Sequence, residues 1–153
     1  MTVVFGDIIT AIVTPFDADL RVDDAAFATL MHHLVANGTD GLAVAGTTGE
    51  ASTLTDPEKI ALFKLAVDEV GDRAKIIANT GSNDTAHSVH LTHEAAALGC
   101  DAVLAVTPYY NKPPRDGIVG HFASIAEVGL PVIVYNIPGR SVINLEPSLL
   151  AEL

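Results

Sequence analysis

Groups that can do chemistry follow each apolar run of this sequence, at the point where a strand would end. The five segments that carry them are residues 14–15, 46–50, 79–82, 107–111 and 135–140. They contain threonine and tyrosine hydroxyls, which donate and accept hydrogen bonds, and an arginine, whose guanidinium suits a carboxylate. The starts of the runs carry little more than glycine or proline. This one-sided placement predicts a parallel α/β fold, because the active site of such a fold is built from the loops that follow its strands.

The apolar runs predict five strands that alternate with helices. They occupy residues 8–13, 42–45, 76–78, 102–106 and 132–134. Successive runs begin roughly thirty residues apart, which is the usual size of a strand–helix–strand step. Ala, Val, Ile and Leu dominate the runs, which suits strands buried beneath amphipathic helices. A complete (β/α)8 barrel needs about 250 residues, so this chain corresponds to the first five strands and about half of that fold.

Capping residues and glycines mark the helices between the strands. The first helix follows Asp23, and the second begins at a capping box formed by Thr55 and Glu58. A fifth helix is predicted from residue 146. Each of the first four helices ends near a glycine, in order Gly38, Gly71, Gly99 and Gly129. No linker divides the chain, so residues 1–153 are predicted to belong to a single (β/α)8 domain.

A flavodoxin-like open sheet is the alternative for five alternating strands. The sequence lacks the phosphate-binding patterns G-x-G-x-x-G and G-x-x-x-x-G-K-[ST], and residues 46–49 alone are too short to count as either. An open sheet also concentrates its site at one switch point, whereas several strand ends carry reactive groups here. The convergence of several strand ends on one axis favours the TIM barrel.

Composition and charge exclude several kinds of partner. The chain has 8 Lys and Arg against 19 Asp and Glu, and its net charge of −11 argues against nucleic acid and against an anionic membrane. No apolar run approaches the ~20 residues that span a bilayer. Residues 1–7 lack the basic and apolar segments of a signal peptide. The single cysteine, Cys100, excludes an internal disulfide, so a cytoplasmic protein is predicted.

Three of the polar segments, taken together, resemble a known family. Residues 46–50 read Gly-Thr-Thr-Gly-Glu, residues 107–111 read Thr-Pro-Tyr-Tyr-Asn, and residues 135–140 read Tyr-Asn-Ile-Pro-Gly-Arg. In this order and spacing they resemble the dihydrodipicolinate synthase family of pyruvate-dependent class I aldolases and lyases, which includes N-acetylneuraminate lyase. The resemblance runs from residue 8 to residue 153. It implies a homotetramer of (β/α)8 barrels that uses no metal or other cofactor.

The resemblance also implies a reaction and a role for individual residues. The synthases are lyases that condense pyruvate with L-aspartate-4-semialdehyde through a lysine Schiff base, in the diaminopimelate branch of lysine biosynthesis. Their proton relay corresponds to Tyr135, Thr47 and Tyr110, and the last of these completes the site of a neighbouring subunit. Thr48 corresponds to the residue that holds the pyruvate carboxylate. Arg140 corresponds to the residue that receives the carboxylate of the semialdehyde.

Each of these residues also has an ordinary structural interpretation. Tyr135 would then be a buried tyrosine and Arg140 a surface residue, while Thr47 and Thr48 would cap a turn. Tyr109 is predicted to be a packing or interface residue. Lyases for sialic acid generally lack the arginine, which favours a synthase. Another pyruvate-dependent enzyme, such as N-acetylneuraminate lyase or a 2-keto-3-deoxy sugar acid aldolase, remains the alternative.

Histidines of the third helix have a spacing that suggests a metal site. These histidines are His87, His90 and His93. The last two, with the glutamate that follows them, form the pattern H-x-x-H-E. This pattern differs from the zinc-binding patterns H-E-x-x-H and H-x-x-E-H. On a helix the three positions spread over about 120° of the surface, too widely for one tight site. Solvated histidines and no metal are therefore predicted. His32 and His33 are also predicted to be exposed.

The lysines depart from the family pattern. They are Lys59, Lys64, Lys75 and Lys112. None lies late in a strand, and Lys75 begins the third strand, at the opposite end from the polar segments. In the family the Schiff-base lysine stands at the end of the sixth strand, which would follow Leu153. The chain is therefore expected to be the N-terminal part of the enzyme, and a catalytically inactive half-barrel is the second hypothesis.

The resemblance also bears on feedback control. In lysine-inhibited synthases the end product binds between subunits, held by residues that match Asn83 and Tyr109. Where those enzymes offer a histidine and an acidic group, this sequence has Asp56 and His87, and Lys59 replaces another polar contact. The charge pattern is roughly inverted, so insensitivity to L-lysine is expected.

We predict that the isolated 153-residue chain forms no covalent adduct with pyruvate, because none of its lysines lies at the end of a strand, where the Schiff-base lysine of the family stands. The chain is incubated with pyruvate and borohydride, and its intact mass is measured. A Schiff-base aldolase treated in the same way is the positive control. Stoichiometric trapping at one of the existing lysines would contradict this prediction.

Overall fold

The structure, a computed structural model, describes residues 5–153. Residues 1–4, part of the segment from which the lack of a signal peptide was inferred, lie outside the described residues. The strands are β1 (Ile9–Ala11), β2 (Gly41–Val44), β3 (Lys75–Asn79), β4 (Ala102–Val106) and β5 (Val132–Tyr135). The helices are α1 (Asp24–Ala36), α2 (Asp56–Val70), α3 (Thr85–Leu98), α4 (Arg115–Ala126), α5 (Pro138–Ser141) and α6 (Pro147–Leu150). Across residues 5–153, no helix has both the length and the apolar character needed to cross a membrane.

The sheet is parallel throughout, and its strands lie in sequence order. A flavodoxin-like sheet would have the order 2-1-3-4-5, so the open-sheet alternative is wrong. Neighbouring helices contact one another, α1 with α2, α2 with α3 and α3 with α4, so they cover one face of the sheet. Sequential parallel strands under a layer of helices form the wall of a TIM barrel, and these five strands make a half-barrel.

The core lies between the sheet and the helices. Its largest members are Phe27 and Met31 on α1, Phe63 on α2, Leu91 on α3 and Ile125 on α4, each at most 1% exposed. Burying one such side chain contributes about 1.5–3 kcal/mol relative to leaving it in water. The apolar sides of the predicted amphipathic helices therefore face the sheet, and α2, α3 and α4 each contact the strand that follows them.

The helix starts form as the capping residues predicted. The carboxylate of Asp23 accepts a hydrogen bond from the backbone nitrogen of Ala26 over 2.9 Å. In the capping box before α2, Glu58 accepts from the backbone nitrogen of Thr55 over 2.7 Å, which lowers the pKa of the Glu58 carboxyl. Gly99 ends α3 with a φ of 89°, a conformation that glycine adopts without strain. These local signals set where each helix can begin and end.

Two short elements differ from the sequence-based prediction. β1 spans three residues rather than residues 8–13, and Ile8 and Val13 beyond its ends are 56% and 47% exposed. As an edge strand of the described sheet, β1 has only one neighbour to extend its ladder. Helix α5 was not predicted, because four residues are too few to show an amphipathic period. Helix α6 begins after Glu146, as expected.

The edge where the strands begin is held by structural contacts. Lys75 begins β3, and its Nζ lies 2.6 Å from Asp101 Oδ1. Asp40 accepts hydrogen bonds from the backbone nitrogens of Ile8 and Asp7, which lower the pKa of its carboxyl. Lys75 therefore lies at the opposite end of β3 from the polar segments, as the sequence predicted.

We predict that the isolated 153-residue chain self-associates. Within the described residues, β1 and β5 each pair on one side only, and the unpaired edge of an apolar strand readily pairs with another chain. Light scattering at about 50 µM, a concentration at which exposed edges associate, is expected to give a mass above 15.9 kDa. A stable monomer at that concentration would count against the prediction.

Candidate functional site

A cavity of about 500 Å³ lies at the edge of the sheet where the strands end. Three predicted residues line it: Thr47 from the loop after β2, Tyr135 from the end of β5, and Arg140 from α5. Asn79 at the end of β3 and Val106 at the end of β4 add to the same wall. Four strand ends thus contribute to one space, which is how the active site of a TIM barrel is built.

The loop that carries Thr47 is fixed from two sides. Ala45, directly after β2, has a φ of 51°, in the left-handed region that residues with a Cβ rarely adopt. Thr14 after β1 donates its hydroxyl hydrogen to the carbonyl oxygen of Gly49 over 2.7 Å, and this contact is buried. A Cβ at Gly49 would stand 3.1 Å from the carbonyl oxygen of Ile12, so the close approach of loop and strand favours glycine.

Tyr135 reaches the cavity because of the register of β5. It lies opposite Val106 in the parallel ladder, and both residues line the cavity. Paired positions on neighbouring strands share a face of the sheet, so the register puts Tyr135 on the face that lies inside a barrel. The residue is half-buried, which leaves part of its side chain accessible to a ligand in the cavity.

Arg140 is presented by a turn with its own hydrogen bonds. Ser141, 1% exposed, has its Oγ 3.0 Å from the carbonyl oxygen of Ile137. Asn136 accepts a hydrogen bond from the backbone nitrogen of Leu145 over 3.1 Å and so closes the segment that follows the turn. Arg140 itself is exposed at the cavity rim. The backbone is therefore ordered while the guanidinium can turn toward a carboxylate.

Two predicted site residues are not on the cavity wall of the described chain. Thr48 is exposed beside Thr47. Tyr110 is 87% exposed in the loop after β4, where its φ is 69°. Tyr109 lines the cavity instead and is 40% exposed. The contribution of Tyr110 to a neighbouring subunit's site stays a prediction.

The cavity extends to a charged cluster at the starts of α2 and α3. His87 Nε2 lies 2.8 Å from Asp56 Oδ2, and His87 Nδ1 lies 3.3 Å from Ser82 Oγ. Lys59 Nζ lies 4.0 Å from Asp56 Oδ1, and the Lys59 side chain is only 13% exposed. The prediction of a solvated His87 is therefore wrong, because helix packing places its ring against a carboxylate of the adjacent helix.

The other histidines of α3 follow the prediction more closely. His90, His93 and His33 are exposed. His32 is only partly exposed, because its Nε2 lies 2.8 Å from Glu69 Oε2 on α2. Among residues 5–153, no group of three His, Cys, Asp or Glu side chains is arranged to hold a metal ion.

Sequence reasoning missed two residues that shape this region, Asn136 and His121. Lys59 was placed in the cleft for lysine by the resemblance, and the first turns of α2 bring its side chain to the cavity wall. Asn136 lies between Tyr135 and the turn that carries Arg140. Its position inside a segment of predicted site residues was the signal that could have identified it. His121 on α4 is 2% exposed, and nothing in the sequence distinguished it from the apolar stripe around it.

A family model described as the dihydrodipicolinate synthetase family matches residues 4–153. The chain belongs to this family. A 4-hydroxy-tetrahydrodipicolinate synthase from Desulforamulus reducens is 54% identical over 153 residues, which cover 99% of this chain and 52% of that protein. The chain thus spans about half the length of the curated relatives it matches.

Solved structures of the dihydrodipicolinate synthetase family share this architecture. A dihydrodipicolinate synthase from Bacillus anthracis has a TM-score of 0.96 and 46% sequence identity over 99% of this chain and 52% of that chain. A chloride-inhibited dihydrodipicolinate synthase from Acinetobacter baumannii, solved in complex with pyruvate, has a TM-score of 0.94 and 41% identity over 97% of this chain and 52% of that chain. The predicted TIM-barrel fold is confirmed for the half that this chain spans.

Proposed function

We propose that this chain supplies part of the active site of a 4-hydroxy-tetrahydrodipicolinate synthase, which condenses pyruvate with L-aspartate-4-semialdehyde. The observation that supports it is the convergence of Thr47, Tyr135 and Arg140 on one cavity. A Schiff-base condensation needs hydroxyl groups that move protons and a cation that binds a carboxylate. The cavity offers both, and the pyruvate complex of the Acinetobacter baumannii relative supports pyruvate as the first substrate.

The proposed reaction begins when a lysine amine attacks the carbonyl carbon of pyruvate. The resulting carbinolamine loses water to give an imine, and loss of a methyl proton gives an enamine that attacks the aldehyde carbon. Each step moves a proton, which is the work proposed for the hydroxyls. Tyr135 exchanges the proton with the carbinolamine oxygen, and Thr47 links Tyr135 to the partner subunit's Tyr110.

The two carboxylates are proposed to be held at different places. Thr48, next to the relay, binds the carboxylate of pyruvate. Arg140, on its exposed turn, binds the carboxylate of the incoming semialdehyde through a charge-assisted pair of hydrogen bonds. The Schiff-base lysine is expected from the sixth strand of the family fold. Lys59 also lies on the cavity wall, but it comes from a helix and its carboxylate neighbour is Asp56.

The proposed enzyme is a homotetramer in the cytoplasm, with no nucleic acid or membrane as a partner. The exposed Tyr110 supports an oligomer, because another subunit can bury the aromatic ring that residues 5–153 leave in water. The net charge of −11 disfavours polyanions.

Cys100 is buried, and burial together with Asp101 raises the pKa of its thiol to about 12, so the thiol stays protonated and unreactive.

The test uses a polypeptide of full family length, made by joining residues 1–153 to the second half of the Desulforamulus reducens synthase. We expect this chimera to condense pyruvate with L-aspartate-4-semialdehyde, and borohydride to trap pyruvate on a lysine of the second half. Aldol cleavage of N-acetylneuraminate or of a 2-keto-3-deoxy sugar acid would favour the alternative functions. A chimera that is folded by circular dichroism but inactive on all of these would favour an inactive half-barrel.

We predict that Thr47→Val and Tyr135→Phe each lower kcat of the chimera by about 100-fold, the scale of lost general acid–base catalysis. Each change removes one hydroxyl of the relay at nearly constant volume. Thr29→Val is the matched control, because the Thr29 hydroxyl donates to the carbonyl of Ala25 on the exposed face of α1. Steady-state rates decide the matter, and a Thr47→Val enzyme as active as the control would exclude the relay.

We predict that the chimera is insensitive to L-lysine at about 1 mM. Asp56 would repel the carboxylate of lysine, and His87, already paired with Asp56, offers no negative charge to its ammonium. The loss of such pairings costs a few kcal/mol, or about two orders of magnitude in affinity. Rates are measured at saturating pyruvate with and without lysine, and clear inhibition would refute the charge argument. A lysine-inhibited synthase assayed in parallel is the control.

A further inference from the structure

A buried histidine lies behind the loop that carries Tyr109 and Tyr110. His121 on α4 is 2% exposed, and its Nδ1 lies 2.9 Å from the hydroxyl oxygen of Thr85, the first residue of α3. Burial lowers the pKa of His121, and the backbone of Val106 only partly opposes this shift. The imidazole is therefore neutral at pH 7, with one nitrogen that donates a hydrogen bond and one that accepts.

Two buried polar atoms of this region lack a hydrogen-bond partner within residues 5–153: Nε2 of His121 and Oγ1 of Thr107. Val106 lines the cavity, so strand alternation puts the next residue, Thr107, on the helix side of the sheet, where Ala105 is also fully buried. An unsatisfied buried polar group costs about 1–3 kcal/mol. No direct hydrogen bond joins the two atoms within the described residues, so a bridging water is the way in which both are satisfied. The backbone of Val106, the residue before Thr107, is the part of this strand end that acts on the ring.

The loop that starts at Thr107 has a conformation that needs support. Tyr110 and Lys112 have φ values of 69° and 47°, and such strain costs about 1–3 kcal/mol at each residue and persists only where the surroundings impose it. One hydrogen bond holds the outside of the loop, where Asn111 Nδ2 donates to the carbonyl oxygen of Asn83 over 2.9 Å. This hydrogen bond joins the tip of the loop to the segment before α3. His121 joins α4, at the other end of the loop, to α3 itself.

We propose that His121 is a positioning residue that fastens the Tyr109–Tyr110 loop to the start of α3, with Thr85 bonded to one ring nitrogen and the start of the loop, at Val106 and Thr107, beside the ring. It touches no substrate. Its effect on turnover passes through Tyr110 and therefore rests on the proposed function, whereas its effect on the order of the loop does not. If His121 only filled the core, its substitution would change turnover and the order of the loop no more than another substitution that removes the same amount of packing.

The test compares substitutions that remove or keep the hydrogen bond. Thr85→Val removes the hydroxyl at nearly constant volume, and Thr85→Ser keeps it. His121→Phe removes both ring nitrogens, and Ile125→Val on the next turn of α4 is the control for lost packing. Amide hydrogen exchange of residues 107–114 is measured in the chimera by mass spectrometry. We expect about tenfold faster exchange in Thr85→Val and His121→Phe, the factor for one lost hydrogen bond of ordinary strength, and no change in Thr85→Ser or Ile125→Val.

Kinetics give the second readout. Thr85→Val is expected to lower kcat by about tenfold and to change the KM for pyruvate by less than about twofold. The double variant Thr85→Val/His121→Phe should be no worse than His121→Phe alone, because both changes break the same contact. Equal exchange in Ile125→Val and Thr85→Val, or unchanged exchange in both, would overturn the proposal. If the unsubstituted chimera is inactive, the proposed function fails while the exchange data still decide the role of His121. If His121→Phe does not fold, the Thr85 pair decides it.

Discussion

Parallel pairing in a fixed register is the constraint on which the site depends. Buried backbone donors and acceptors must find partners, and each strand finds them in the strand that follows it in sequence. Once the strands are paired in this order, their carboxyl ends meet at one edge. The alternation of side chains then decides which residues enter the cavity. A slip of β5 by one residue would turn Tyr135 toward the helices and put Val134 in its place.

Backbone strain is concentrated in the loops that this pairing brings together. The non-glycine residues with positive φ in the described chain are Leu20, Ala45, Glu50, Tyr110, Lys112 and Val142. All but Leu20 belong to loops that follow β2, β4 or β5. Buried hydroxyls stand beside these loops, Thr14 below the first and Ser141 below the last. Ordered, strained loops supported by buried polar groups are typical of sites that must hold catalytic groups before the substrate arrives.

The sequence carried most of the fold and the centre of the site. Strands, caps and helix ends are local signals, and Asp23 and Glu58 make the contacts expected of them. Thr47, Tyr135 and Arg140 were named from the resemblance to the family, and the convergence of strand ends in a parallel barrel predicted that they would share one space. The resemblance placed His87 and Asp56 in one cleft, but their hydrogen bond was not predicted, since it depends on how two neighbouring helices pack. The burial of His121 is likewise set by the packing of three separate elements.

The principal contacts of each strand and helix in the described chain are with the units directly before and after it. A boundary between two units is therefore crossed chiefly by one strand pair and one helix pair. Genes of this family that recombine at such a boundary would keep every contact inside each half. Only the residues that meet across the boundary would have to be compatible. The residues on either side of the cavity can then diverge at different rates. The second half of the family fold, where the Schiff-base lysine is expected, would then be joined to the hydroxyls and the arginine of this half by strand pairing and helix packing.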